Sequence, residues 1–216
     1  MSSIKFGTDG WRDLMYDRFN LANVSRVVEA IAAYTIDRGG ADRGVVVGYD
    51  ARFFSDFFAA KASELLQAAG IKTYTFDRDL PTPVVAYSVK KYKAFGAVMF
   101  TASHNPPAYN GIKFIPEYAG PATPDITSAI EAFIPAEASS VKERLQSGQT
   151  IDPIPSYLEE IQKLVDVRAI IESGLEVGYD PMYGTGRGIL DALLGRQVKV
   201  FHNRRDPLFG GEMPDP

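Results

Sequence analysis

Thr101-Ala102-Ser103-His104-Asn105-Pro106-Pro107 places a hydroxyl, an imidazole and a carboxamide on consecutive residues. The segment follows Phe95 to Thr101, whose near-continuous apolar character predicts a buried strand. Ligands of open α/β sheets bind at the carboxyl ends of parallel strands, so Ser103 stands where a catalytic group is expected. Ser, Asn and Pro are also ordinary turn residues, and by spacing alone a plain polar turn is an equal reading. A Ser-His hydrolase is disfavoured: neighbouring side chains in an extended chain point to opposite sides, and Gly-x-Ser-x-Gly is missing around Ser103. Phosphate chemistry fits better. Asn110-Gly-Ile-Lys113 brings a cation back shortly after Ser103, and Thr8-Asp-Gly10-Trp-Arg12 reads as a glycine-containing turn ending in a guanidinium suited to phosphate. A phosphoserine carries about −1.5 to −2 charges at pH 7 and needs such partners.

The elements that would position these residues alternate. Val24, Val27, Val28, Ile31 and Thr35 line one face of a helix ending at Gly39-Gly40. Val45 to Tyr49 reads as a strand. Ser55 is the expected N-cap of a helix with Phe58, Ala62, Leu65, Leu66 and Ala69 on one face, stopped by Gly70. Ile71 to Phe76 is the next strand, and Thr82-Pro83 supplies an N-cap and N1 proline for a helix to about Tyr92. The expected fold is a three-layer α/β/α unit with a mostly parallel mixed sheet. From Pro116 to Pro155 prolines break the pattern around one helix, Asp125 to Phe133, and a boundary is expected near residues 147 to 155. Beyond it come a helix from Ser156 to Val165, a strand Leu175 to Tyr179, a helix near Gly188 to Leu194 and a strand Gln197 to Phe201. The expected organisation is one complete domain, 1–148, followed by an incomplete second α/β unit, 149–216.

Composition narrows the partners. The 216 residues are 45% hydrophobic and 23% charged with net charge −4, an ordinary globular balance. No block of consecutive Lys/Arg offers a nucleic-acid footprint. No apolar run approaches the roughly 20 residues that span a bilayer, and no secretory signal opens the chain. There is no cysteine, which removes disulfides, Cys-ligated zinc and thiol nucleophiles. The expectation is a cytoplasmic protein without nucleic-acid or membrane partners.

Phe6-Gly-Thr-Asp-Gly-Trp-Arg12, Pro81-Thr-Pro83, and Thr101-Ala-Ser-His-Asn-Pro followed by Tyr109-Asn-Gly-Ile-Lys113 resemble, in order and spacing, the α-D-phosphohexomutases, the phosphoglucomutase/phosphomannomutase superfamily. The resemblance covers the whole chain, but the chain covers about the first half of the family pattern of four domains. It implies that Ser103 is a phosphoserine that phosphorylates a hexose phosphate and is rephosphorylated by the bisphosphorylated sugar, moving phosphate between O1 and O6. It implies that His104 and Lys113 are general acid/base residues, that Arg12 reaches the phosphate, and that Thr8, Gly10, Asn105 and Asn110 help bind it. It also implies Mg²⁺, held by three aspartates and an oxygen of the Ser103 phosphate, and glucose 1,6-bisphosphate as activator. Hexose phosphate and the remaining domains of a longer chain are the expected partners, and this portion alone is expected to be inactive. A non-catalytic module binding sugar phosphate or a partner is the alternative.

Other segments depart from the family pattern. Its Asp-Gly-Asp-x-Asp-Arg metal loop is not in the sequence, and Asp37-Arg-Gly-Gly-Ala-Asp-Arg43 reads as a turn. Gly211-Glu-Met213 shares only its first residues with the family's sugar-recognition loop. Gly184-Thr-Gly186-Arg-Gly188 lacks the full dinucleotide fingerprint and reads as a packing turn. Trp11 and Phe53, Phe54, Phe57 and Phe58 are expected in the core.

Overall fold

Helix α1 (Leu21–Asp37) forms where the apolar period is 3.6 residues, and it buries the face that period defines: Val27, Val28, Ile31 and Thr35 are inaccessible to solvent. Burial of each large aliphatic side chain contributes about 1.5–3 kcal/mol relative to exposure. Asn20 caps the helix by accepting from the Asn23 N–H at 3.0 Å, and Thr35 returns its hydroxyl to the Ile31 carbonyl at 2.8 Å. The computed structural model describes residues 4–7, 10–139 and 148–214. Thr8 therefore lies outside the described residues.

The remaining elements of the first unit are β1 (Gly10–Leu14), β2 (Val45–Tyr49), α2 (Ser55–Ala68), β3 (Thr73–Thr75), α3 (Thr82–Lys91), β4 (Gly96–Phe100), β5 (Tyr109–Pro116), α4 (Pro124–Ala132) and β6 (Gln149–Thr150). They build a six-stranded sheet ordered β1-β5-β4-β2-β3-β6. The pairs β2·β3, β2·β4 and β3·β6 are parallel, while β4·β5 and β1·β5 are antiparallel. Strand side chains alternate between two cores. Val45, Val47, Val98, Phe100, Ile112 and Phe114 pack with α1, α2 and α4, whereas Val46, Ala97, Met99 and Ile115 pack with α3. This is the expected three-layer α/β/α fold with a mostly parallel mixed sheet.

The second unit holds α5 (Ile154–Leu164), α6 (Val167–Glu172), β7 (Val177–Tyr179), α7 (Leu190–Leu194) and β8 (Val198–Val200), with β7 and β8 paired in parallel. Among the described residues, no helix is long and apolar enough to cross a membrane.

Several local expectations change. Gly10-Trp11-Arg12 is strand, not turn, and Tyr109–Pro116 is a strand the apolar pattern did not single out. Ser55 is the first helical residue of α2 rather than its cap; Phe54 caps with φ 59° and no side-chain bond. Ser55 instead donates to Asp50 and accepts from Asn110, both at 2.9 Å. Pro81 caps α3, so Thr82-Pro83 sits one position inside the expectation. Trp11 and Phe58 are core, but Phe53, Phe54 and Phe57 are 43%, 41% and 39% exposed because they lie before α2 or on its outer face.

Candidate active site

The sheet sets the site through its order. From β2 the chain crosses by α2 to β3 on one side, then by α3 over the opposite face to β4 on the other, so the carboxyl ends of β2 and β4 open onto a topological switch point. Asp50 follows β2 there, and Thr101 to Ser103 follow β4. Ser103 has φ 54°, a left-handed conformation that costs a non-glycine residue about 1–2 kcal/mol. Its amide donates to the Thr101 hydroxyl oxygen at 3.0 Å, and the Asn105 amide donates to the Ala102 carbonyl at 3.0 Å. The Ser103 turn is thus tied to the strand that presents it.

Arg52 holds the rest of the loop. Its side chain is 0% exposed, and Nη1 donates to the carbonyls of Pro106 and Tyr109 at 2.8 and 3.0 Å. Nη2 donates to the carbonyls of Ser103 and Asn105 at 2.7 and 2.6 Å. Asp50 lies 3.2 Å from Arg52 Nε. Burial pushes the Asp50 carboxyl above the ordinary carboxylate range, against Arg52 and hydrogen bonds from Thr101, the Arg52 amide and Ser55. Burial likewise lowers the Arg52 guanidinium from its usual value, which Asp50 opposes; arginine remains charged at neutral pH. Buried Asn110 completes the support, donating to the Phe53 carbonyl and Ser55 while its Oδ1 accepts from the Gly111 amide.

The antiparallel register brings the two cations from the sequence motifs together. Gly10 lies opposite Lys113 and Arg12 opposite Gly111, so Arg12 and Lys113 share a face diagonally across β1 and β5. The glycines make room for them. A Cβ at Gly10 would lie 3.0 Å from Lys113 Cγ, and one at Gly111 would lie 2.8 Å from Arg12 Cγ. Arg12 Nη1 donates to Asn105 Oδ1 at 3.3 Å. Ser103, Thr101 and Lys113 line a cleft of about 500 Å³, where Pro81 to Pro83 at the start of α3 also sit. His104 is exposed and is not among the residues lining this cleft.

The opposite wall comes from the second unit. Tyr179, Asp180, Gly184 to Gly186, Phe209 and Pro214 face Ser103 across the cleft, so the glycine-rich turn and the tail near Gly211 both reach it. Asp180 pairs with His202 Nδ1 at 2.7 Å, and that hydrogen bond, with the Met182 amide, holds its carboxyl below the usual carboxylate range. Among the described residues no group of three or more His, Cys, Asp or Glu could hold a metal ion. The chain's described residues therefore do not fit the Mg²⁺ site that the resemblance implies.

Comparison with known proteins agrees with this fold. Residues 3–140 match the family model described as phosphoglucomutase/phosphomannomutase, alpha/beta/alpha domain I. A probable phosphomannomutase of Haemophilus influenzae is 30% identical over 82% of this chain and 37% of its own length. A phosphoglucosamine/phosphogalactosamine mutase of Sulfurisphaera tokodaii is 28% identical over 98% of this chain and 47% of its own. A provisionally named phosphomannomutase from Thermus thermophilus has a crystal structure that superposes on 100% of this chain and 49% of its own, with TM-score 0.91 and 35% identity. The chain spans less than half the length of these relatives. A match to the domain I model over residues 3–140, well over half of the chain, shows that the chain belongs to the phosphoglucomutase/phosphomannomutase family.

Proposed function

We propose that this chain supplies the phosphoryl-carrying serine of a mutase that interconverts hexose 1-phosphate and hexose 6-phosphate. The observation that carries this reading is the placement of Ser103. It sits in a strained turn at the carboxyl end of β4, facing a cleft it shares with Lys113, with Arg12 bonded to its loop.

In the proposed cycle, the phosphorylated Ser103 gives its phosphoryl group to a free hydroxyl of the bound sugar phosphate. The P–Oγ bond breaks, a P–O bond to the sugar forms, and the hydroxyl proton passes to a nearby base, His104 or Lys113. The bisphosphorylated sugar then turns over and returns its other phosphate to Ser103 Oγ, which restores the phosphoserine and releases the isomer. Phosphoryl transfer is mostly positioning and charge neutralisation. Arg12 and Lys113 supply charge on this side, and Arg52 holds the loop that aims Oγ. Added glucose 1,6-bisphosphate would prime an unphosphorylated serine by the same reaction. Mg²⁺, when bound, would meet an oxygen of the Ser103 phosphate and help neutralise its charge, with three aspartates that these 216 residues do not supply as its other ligands; the family's sugar-recognition and distal phosphate loops are likewise not in this sequence. The activity therefore belongs to a longer protein, and these 216 residues alone are expected not to turn over.

The test is Ser103→Ala in the longer protein, assayed with hexose 1-phosphate and saturating hexose bisphosphate. Loss of at least about 4 kcal/mol of transition-state stabilisation, roughly a thousandfold in rate, is expected. Phosphopeptide mapping should find the phosphate on Ser103 of the unaltered protein. Near-normal turnover by the variant refutes the assignment. Sugar-phosphate binding with no phosphate ever on Ser103 would favour the binding module instead.

A further inference from the structure

The loops that follow β7 and β8 form the cleft wall opposite Ser103, and both lead to one carboxylate on the first unit. Asp79, in the loop after β3, has a side chain only 6% exposed. Its two oxygens accept from Arg187 Nη2 at 2.8 and 2.7 Å, and Arg187 itself is 12% exposed. Arg187 Nη1 turns back to the Tyr183 carbonyl at 2.9 Å and to the Gly184 carbonyl, so one guanidinium binds its own loop and Asp79 together. From the first unit, Arg78 Nη2 donates to the Arg187 carbonyl at 2.8 Å. From the loop after β8, Arg205 Nε lies 3.9 Å from Asp79 Oδ1, and its Nη2 lies 3.4 Å from the Arg52 carbonyl. The Phe209 ring on the same segment stacks 5.3 Å from the Arg52 guanidinium.

We infer that Asp79 is a positioning residue that fixes the second-unit wall of the cleft at its working distance from Ser103. A desolvated carboxylate cannot release its guanidinium partner without leaving an unpaired buried charge. The Asp79–Arg187 pair therefore stays closed unless the whole 183–187 loop leaves. The Arg205 contact extends the same constraint to the 203–209 segment. A sugar phosphate held between Ser103 and this wall would meet a gap of one width. The effect on turnover rests on the proposed phosphoryl transfer, while the structural constraint does not.

The experiment is amide hydrogen exchange on the protein carrying Asp79→Asn, read at Tyr183, Gly184, Asp206 and Phe209, whose N–H groups donate to the carbonyls of His202, Pro181, Tyr183 and Asp206. At least tenfold faster exchange is expected at these four amides, with α1, β2 and β4 unchanged. In the longer protein, kcat/KM for hexose phosphate should fall at least tenfold. Spontaneous hydrolysis of phosphorylated Ser103, which needs only the first unit, should keep its rate. Unchanged loop exchange, or acceleration spread equally through α1 and β2, overturns the inference. Undiminished kcat/KM with loosened loops overturns the positioning role. If Asp79→Asn does not fold, Arg187→Gln and Arg205→Gln read the same amides from the other side, and Arg205→Gln should accelerate Asp206 and Phe209 more than Gly184, whose N–H donates to the Pro181 carbonyl. A wild-type protein that transfers no phosphate would remove the proposed function, and the exchange result would still decide the constraint.

Discussion

A guanidinium sealed from water has to commit its N–H groups to protein acceptors, and Arg52 commits four hydrogen bonds to carbonyls of the segment from Ser103 to Tyr109. Arg52→Met should leave those carbonyls and Asp50 without their partner and destabilise the fold by about 3–5 kcal/mol, measured as a lower urea midpoint. Arg52→Lys keeps the charge but not the planar fork, so it should recover only part of that loss. Asp180 offers a pH test at the other wall. Its folded carboxyl ionises below the unfolded value, so its contribution to stability is present above pH 3.8 and is lost as pH falls through the folded pKa. Carbon-detected NMR should show the Asp180 carboxyl titrating below other exposed aspartates, and His202→Gln should move it back toward them; no movement would contradict the assigned cause. The sequence offers Ser103, Arg12 and Lys113 as candidates because their residue types carry phosphate chemistry, and the fold brings Arg12 and Lys113 onto one face and Lys113 into the cleft with Ser103. Arg52 was not. A charged residue just before a helix has the pattern of a solvated surface, and only the fold shows that it is buried.

At the scale of elements, β1 and β5 depend on close backbone approach. A Cβ at Gly111 would lie 2.5 Å from the Thr101 carbonyl oxygen and 3.0 Å from that of Trp11, both backbone atoms with little freedom to move. Gly111→Ala should therefore cost about 1–3 kcal/mol in thermal unfolding. It should also shift amide resonances most strongly from Thr101 to Asn105, because the Thr101 N–H donates to the Gly111 carbonyl. Shifts confined to β1 would contradict that route. The helices and the central strands were readable because their apolar residues repeat at 3.6, as in α1, or run unbroken, as in β4. β1 was not, since Gly10 has low strand propensity and Gly-Trp-Arg looks like a turn. β6 has two residues and α6 has six, too short for any period to register.

For the molecule as a whole, the cleft lies between two units, so a ligand that touches both should stabilise the folded state of both. Hexose bisphosphate at about 100 times its Kd should add about 2.7 kcal/mol. For a chain of this size that raises Tm by roughly 5–10 °C in calorimetry, and an unchanged Tm would show that the cleft does not bind it. The domain I fold was legible from the alternation of helices and strands. The approach of the second unit to Ser103 was not, because it depends on Asp79, Arg187 and Arg205, which no periodic pattern links. The edge strand β1 has a further consequence for how the site comes into being. Among the described residues it pairs only with β5, about a hundred residues later in the chain. During synthesis from the N-terminus, Gly10–Leu14 has no strand to join until Tyr109–Pro116 has emerged. The parallel centre of the sheet can assemble first, so Arg12, although made early, joins the first unit's sheet only after β5. Anything that slows the docking of the first strand would delay the completion of the candidate site around Ser103 while leaving the rest of the sheet formed.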